Sequence, residues 1–574
     1  MELFPPYSTA PWAAHQVTGR LRVAAPGQMF IEPGGLALPL DNLAKRLNRA
    51  LPGDQVVYDT KDQQVVAVTQ RVKARWVVAI NLSSTRIMGK TKTGALVYHA
   101  RSTDWRYPDC YVSSKLKQQL QRARGKAHQS ETGLPDHYLY VEFREWSSIQ
   151  RMPMASQIEV LGPVGLLESE ERVLIRRNQL YARAFPKLEL PNPNLPQLGS
   201  GEDTRVLYDK MVLAIDPKSA QDYDDAFHVE RTEGGEVKRI VVHIADVTYY
   251  FPLKSELETE IRKRLTTLYL ISHKINMIPD QFADDLSSLK ARQTRPTISV
   301  VFHYDTHGRE LVDRRQFQLS LTQVSYNMAY ELADRVVWGE REHPARQDLQ
   351  DLAKLLQVQD SHQIVERLMI KANHAVGEWL YQRGWGLIRT QDRYVAPTQE
   401  VPAEVAEFVR HRAGKAARYQ FNPAKDQTGH ASLGLSCYTH FSSPIRRYPD
   451  MIVHRLLKSE LSGQPSGYTR AELTELCQQL NTYYTRVRKM TYQLNILRLY
   501  HRLNQEFKGQ YQTRAYPVDF QAGKLSVYLP EFDLEYAYRL RSDQECPELF
   551  RECMVWLTTN TVTPYLSQRV KLSL

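Results

Sequence analysis

The chain has 574 residues, 42% of them hydrophobic and 24% charged, and a net charge of +11. That length exceeds a single core, and the composition is that of a globular protein, which excludes disordered, collagen-like and small single-domain classes. No apolar run is long enough to span a membrane, and MELFPPYSTAPWAAHQ lacks a basic segment followed by an apolar one, so no secretory signal is expected. The five cysteines, Cys110, Cys437, Cys477, Cys546 and Cys553, form no CxxC pair. This argues against a zinc ribbon and fits a reducing, cytoplasmic compartment.

In chain order, VTGRLRV, a Pro26-Gly27 turn, QMFIEP, ALPGDQVVYD and QQVVAVTQRV read as short strands with turn punctuation, which predicts a small OB-like barrel over 1–75. RWVVAI, ALVYHA, YLYVEFREW and QIEVLGPVG predict a second such barrel over 76–165, with SKLKQQLQRARGKAHQ between them as a basic helix or loop. From Lys61 to Ser130 there are 14 Lys/Arg against 3 Asp/Glu, so the excess charge lies here and the rest of the chain balances at 61 against 61. These charges could simply solvate a surface. Their interleaving with Trp76, Tyr98, Trp105, Tyr107 and Tyr111 favours a polyanion with exposed bases, that is, nucleic acid. Phe30 could stack a base or belong to the core. Pro-rich FPKLELPNPNLPQLGSGED predicts a linker, taken as 166–203.

Residues 204–505 read as one large α/β domain. MVLAI is a buried strand that stops at Asp216-Pro217, and Asp222, Asp224 and Asp225 follow, so four carboxylates fall within ten residues. Carboxylates this crowded repel one another unless a cation gathers them, and hard oxygens select Mg²⁺ or Mn²⁺. An acidic solvated turn is the equal alternative; an EF-hand is disfavoured because Ala226 follows where its glycine would stand. Glu233-Gly234-Gly235 predicts a hairpin into RIVVHIADVTYYF, and Asp284 with Asp285 predicts a helix cap. QIVERLMIKANHAVGEWLYQRG predicts a helix with Ile364, Leu368, Met369, Ala372, Val376 and Leu380 on one face and Gly384 past its end. In THFSSPIRRYPDMIVHRLL, Arg446, Arg447, Asp450, His454 and Arg455 lie at helical spacings. They suit either a phosphate cradle at a helix start or a surface helix with i,i+4 ion pairs. Thr469 with Glu472 predicts a capping box opening a long helix up to Lys508. Residues 506–574 return to strands and predict a C-terminal OB-like barrel.

IDPKSAQDYDDAF, VVHIADVTYYF, LYLISHKINMIPDQFADDLSSL, GLSCYTHFSSPIRRYPDMIVHRLL and ALPGDQVV together resemble the ribonuclease II/R family of RNB-domain 3′→5′ exoribonucleases, in that family's order. The resemblance covers nearly the whole chain and is strongest from Val212 to about Leu457. It implies an α+β multidomain fold, with a central α/β catalytic domain flanked by OB barrels. The implied activity is Mg²⁺-dependent (or Mn²⁺-dependent), processive hydrolysis of single-stranded RNA to nucleoside 5′-monophosphates by a cytoplasmic monomer with no membrane partner and no organic cofactor. Position by position, it implies Asp216, Asp222 and Asp225 as metal carboxylates and Asp224 as the carboxylate whose loss stops chemistry. Tyr269 would pack at the 3′-terminal nucleotide, Arg446 would hold the scissile phosphate with Arg447 beside it, and Glu366 would lie near the nucleotide. Three departures stand out. Tyr492 occupies the place of a family glutamate, with Gln493 the nearest polar substitute. LLQVQDSHQ shortens a stretch that would supply a second stacking aromatic. Ile271-Ser272 replace a common Pro-Gly or Pro-Asp. The alternative is a catalytically impaired RNA-binding protein on the same scaffold; a metal-dependent endonuclease ranks third.

Overall fold

The computed structural model describes residues 15–25, 28–32, 36–37, 47–81, 88–90, 94, 96–113, 137–147, 150–187, 189–191, 205–392, 400–413, 416–521, 523–540, 546–561, 563 and 565–573. The Pro26-Gly27 turn, the basic SKLKQQLQRARGKAHQ segment and most of the Pro-rich linker fall outside them. Two compact units emerge. One comprises Met1–Leu180, Lys489–Arg514 and Met554–Leu574; the other comprises Tyr181–Arg488 and Ala515–Cys553.

In the first unit, strands Gln16–Ala25, Gln28–Glu32, Leu36–Ala37, Gln55–Asp59 and Gln64–Gln70 form one antiparallel five-stranded sheet. Alternating residues Leu21, Met29, Ile31, Val56, Tyr58 and Val65 fill its core. Gly19 is required where the first strand crosses its neighbour, because a Cβ there would meet Glu32 O at 2.5 Å. A second, six-stranded sheet curls until Arg75–Ile80 pairs with both His137–Glu145 and Leu96–Ser102. Two expectations are corrected here. Trp76 and Tyr98 are core residues, and Trp76 stacks on Tyr107 with centroids 5.5 Å apart; Trp105 is the ring of that set left largely exposed. The proposed linker also starts too early, because Leu167–Arg177 is a helix. Its Val173 packs with Val77, Ala79, Tyr138 and Leu161, and its buried Glu170 receives Arg569 Nη2 at 2.7 Å.

The second unit is built on a closed five-stranded barrel of Val206–Asp216, Asp225–Arg231, Val237–Ala245, Thr294–His303 and Gln316–Ala329. The first and last strands close it in parallel, with Asp216 opposite Ala329. The Gly-Gly hairpin forms as expected, with Thr232 N–H donating to Glu236 O. Its interior is partly polar. The fully buried His228 and His243 meet at 2.8 Å, and His243 Nδ1 lies 2.7 Å from Ser299 Oγ. Each polar atom in that chain has a partner, so its burial is tolerated. Helices Ser361–Gln382, Tyr448–Ser462 and Arg470–Glu506 follow. Ile364, Leu368, Ala372, Val376 and Leu380 are buried as the periodicity requires, and Gly384 takes φ +78°. Thr469 and Glu472 cap the long helix reciprocally. Near the C-terminus, strands Gln510–Gln521, Lys524–Leu529 and Leu534–Arg539 form a meander, and Cys553–Thr559 pairs with Val570–Ser573 in the stretch that belongs to the first unit.

Candidate active site

The first barrel strand delivers Asp216 at its last residue, and its antiparallel partner begins at Asp225. The intervening loop must therefore turn at the barrel mouth with Asp222 and Asp224 on it. The DDLSSL segment fixes this loop: Tyr223 N–H donates to Ser288 Oγ (3.0 Å), Ser288 Oγ to Gln221 O (2.7 Å), and Leu289 N–H to Tyr223 O (3.0 Å). Asp284 and Asp285 do not cap a helix. They lie inside a π-helical turn, Phe282–Leu286, and bind Lys274 and Arg295. The cap rule fails because side-chain cations within reach outcompete an exposed turn.

The second constellation comes from far along the chain. Ile445 N–H, 221 positions away, donates to Asp224 Oδ1 at 2.8 Å, and Arg446 Nε lies 3.2 Å from Asp224 Oδ2. The segment is held in place by Thr267 N–H and Thr266 Oγ1, which both donate to Arg446 O (3.0 and 2.8 Å). Asn373 Oδ1 accepts from the N–H groups of Phe441 and Ser442 (2.9 and 3.1 Å). Asp450 Oδ1 accepts from Ser443 N–H at 2.8 Å and from Arg447 Nη2 at 2.7 Å. Arg447 is thus a strut committed to Asp450, and Arg446 is the guanidinium that faces the aspartates. The surface-helix reading is overturned: every residue from Tyr448 to Leu457 is buried. Arg455 is bonded to Phe251 O (3.0 Å) and pairs with Glu258 (3.2 Å).

The structure also places the remaining expected residues. Tyr269, half exposed, donates to Asp222 Oδ2 at 3.2 Å. Glu366 is exposed on its helix, and Gln493 accepts from Asn178 Nδ2 at 2.7 Å. Three residues near the site were missed by sequence reasoning. Lys274 binds Asp222 and Asp284. Ser288 pins the aspartate loop. Tyr330 follows Ala329, which the barrel register sets opposite Asp216, and it stacks on His362 with centroids 3.9 Å apart. Only that register, invisible in composition, would have pointed to Tyr330.

The electrostatics are those of a cluster short of positive charge. Burial pushes Asp216 up to about 8, reinforced by Asp225 and Asp224. Burial likewise pushes Asp224 to about 8 against the pull of Arg446, and Asp225 to about 6. Among the described residues, no three His, Cys, Asp or Glu side chains converge tightly enough to hold a metal ion by themselves. In kind, however, the donors fit a divalent ion. They are hard carboxylate oxygens, and Asp216 Oδ2 is buried without a hydrogen-bond partner. An ion on Asp216 and Asp225 would take its remaining ligands from water and substrate.

The RNB domain family model matches residues 204–360 and 355–463, and the Dis3-like cold-shock domain 2 model matches 98–179. The probable exosome complex exonuclease RRP44 of Caenorhabditis elegans is 24% identical over 510 residues, covering 72% of this chain and 52% of that protein. The chain spans about half the length of the curated relatives it matches. Among solved structures, Mycoplasma genitalium RNase R in complex with ribose methylated single-stranded RNA superposes with a TM-score of 0.73 at 16% identity, covering 97% of this chain and all of that one. Yeast Ssd1, a pseudonuclease, gives a TM-score of 0.63 at 18% identity over 92% of this chain and 79% of that one. At these identities the structural likeness establishes the fold.

Proposed function

From the match of the RNB domain model to residues 204–463, we propose that the chain is an RNB-family, metal-dependent 3′→5′ exoribonuclease that hydrolyses single-stranded RNA to nucleoside 5′-monophosphates. The observation that carries this reading is the meeting of Arg446 with Asp224 across 3.2 Å. A guanidinium and a carboxylate loop remote in sequence share one point, where a phosphodiester needs both a cation site and a fixed positive charge. The Arg446 side chain is about half exposed (47%), so it can turn its fork to a phosphate while Asp224 stays buried.

Each residue then has a task. Asp216 and Asp225 would hold the divalent ion, with Asp222 beside them; when bound, such an ion neutralises phosphate charge and lowers the pKa of attacking water. Arg446 offsets negative charge that develops on the phosphate, an effect worth about 3 kcal/mol for one well-placed donor. Asp224, anchored by Ile445 N–H, aims that guanidinium. Tyr269 is exposed enough to lie against a terminal base or ribose.

Incubation of 5′-labelled single-stranded RNA with Mg²⁺ is expected to give a ladder shortening from the 3′ end, with mononucleotides released. EDTA should abolish it, and Asp224→Asn should slow it about a thousandfold. An Asp224→Asn rate equal to wild type would overturn the assignment. Salt-sensitive RNA binding without nucleotide release would support the impaired-scaffold alternative, for which the pseudonuclease neighbour provides a precedent of fold.

A further inference from the structure

The hairpin that carries Tyr269 brings a second side chain to the same carboxylate, and that side chain is a cation. Tyr269 and Lys274 are cross-strand partners in the two-residue ladder Leu268–Tyr269 with Lys274–Ile275, and Leu270 N–H donates to His273 O across the turn. Lys274 Nζ lies 2.9 Å from Asp222 Oδ1 and 2.7 Å from Asp284 Oδ1, with its side chain three-quarters buried. Tyr269 takes the other oxygen, Asp222 Oδ2. Asn276 holds the far carboxylate, donating to Asp280 Oδ1 (2.9 Å) and Asp284 Oδ2 (3.4 Å).

The aspartate loop therefore has two unequal halves. Both oxygens of Asp222 are bonded within this chain, whereas Asp216 Oδ2 is buried with none. We propose that Lys274 is a positioning residue whose ammonium serves as a built-in cation on Asp222, so that Asp216 and Asp225 hold one divalent ion and no second ion binds beside them. A lysine suits this place because its charge is compact and its stem flexible. A second divalent ion on Asp222 would have to approach a fixed like charge in a partly buried setting, where Coulomb repulsion is weakly screened.

The inference rests on reading these carboxylates as a divalent-ion site, and a binding count separates the two claims. Mn²⁺ bound to the full-length protein, counted by electron paramagnetic resonance, is expected to be one ion per chain for wild type and for Lys274→Arg. Lys274→Met should bind two, or bind one about tenfold more tightly. A lysine with a purely structural role would leave the Lys274→Met count and affinity at the wild-type values, and that result would overturn the proposal while leaving the metal site standing. Two ions on the wild-type protein would overturn it without any variant, which covers the case of a variant that fails to fold. No Mn²⁺ on wild type would remove the metal reading and the proposal together.

Discussion

Asp224 and Asp246 lie at the same end of one barrel, linked by Ala245 N–H donating to Asp224 O at 2.9 Å, and both are almost wholly buried. Their electrostatic fates are opposite. Burial alone would raise both. At Asp246, Lys458 Nζ (2.6 Å) and Arg205 Nη2 (2.9 Å) outweigh that penalty and hold the carboxyl well below its usual range. At Asp224 the single guanidinium is half exposed, and the carboxyl stays near 8. The difference lies in the commitment of the cations. Lys458 and Arg205 belong wholly to the fold, whereas Arg446 is shared with whatever enters the site. One carboxylate locks the barrel mouth, and the other waits for a ligand.

The sharpest way to break this comparison is to neutralise each in turn. Asp224→Asn should cost three orders of magnitude in rate with little loss of stability, while Asp246→Asn should deprive Lys458 and Arg205 of the carboxylate they share and cost ~3–5 kcal/mol. Urea unfolding of both variants checks this, and equal destabilisation would erase the distinction. Arg446→Lys keeps the charge but loses the fork. It should lower kcat about ten- to a hundredfold with the midpoint of thermal unfolding unchanged. Ser288→Ala removes the hydroxyl that both accepts from Tyr223 and donates to Gln221, for a loss of ~1–2 kcal/mol in stability and a fall in kcat through a looser loop.

The pH dependence separates the two carboxylates most finely. The folded value of Asp246 lies below its unfolded value of about 4. Its contribution to stability is thus fully present above pH ~4 and is lost only as pH falls further, through the depressed folded value. Denaturant titrations from pH 6 to pH 3 should show that loss in wild type, and a much flatter profile in Asp246→Asn.

Much of this was legible in the chain. The strand ending at Asp216-Pro217, the Gly-Gly hairpin, the helix over Ile364 to Leu380 and the Thr469 capping box all formed where local chemistry placed them, because each depends on neighbours within about ten residues. The aspartate set was visible for the same reason. The misreadings share one cause. Trp76 and Tyr98 looked like a stacking surface, yet a curled sheet turned them inward, and no linear pattern tells a strand which face will be covered. Asp284 and Asp285 looked like caps until Lys274 and Arg295 came within reach. Arg447 was expected beside Arg446 at the phosphate, and only the position of Asp450 made it a strut and left Arg446 facing the site.

By itself, then, the amino-acid order determined the kinds of element and the stock of reactive groups, since turns, caps and periodicities are short-range properties. Which groups meet was settled by three-dimensional packing alone. Closing the barrel in parallel, with Asp216 beside Ala329, and seating the Tyr448–Ser462 helix, buried from Tyr448 to Leu457, brought Ile445 and Arg446 onto Asp224 across 221 positions. An interaction at that separation exists only after the intervening chain has condensed around a common core.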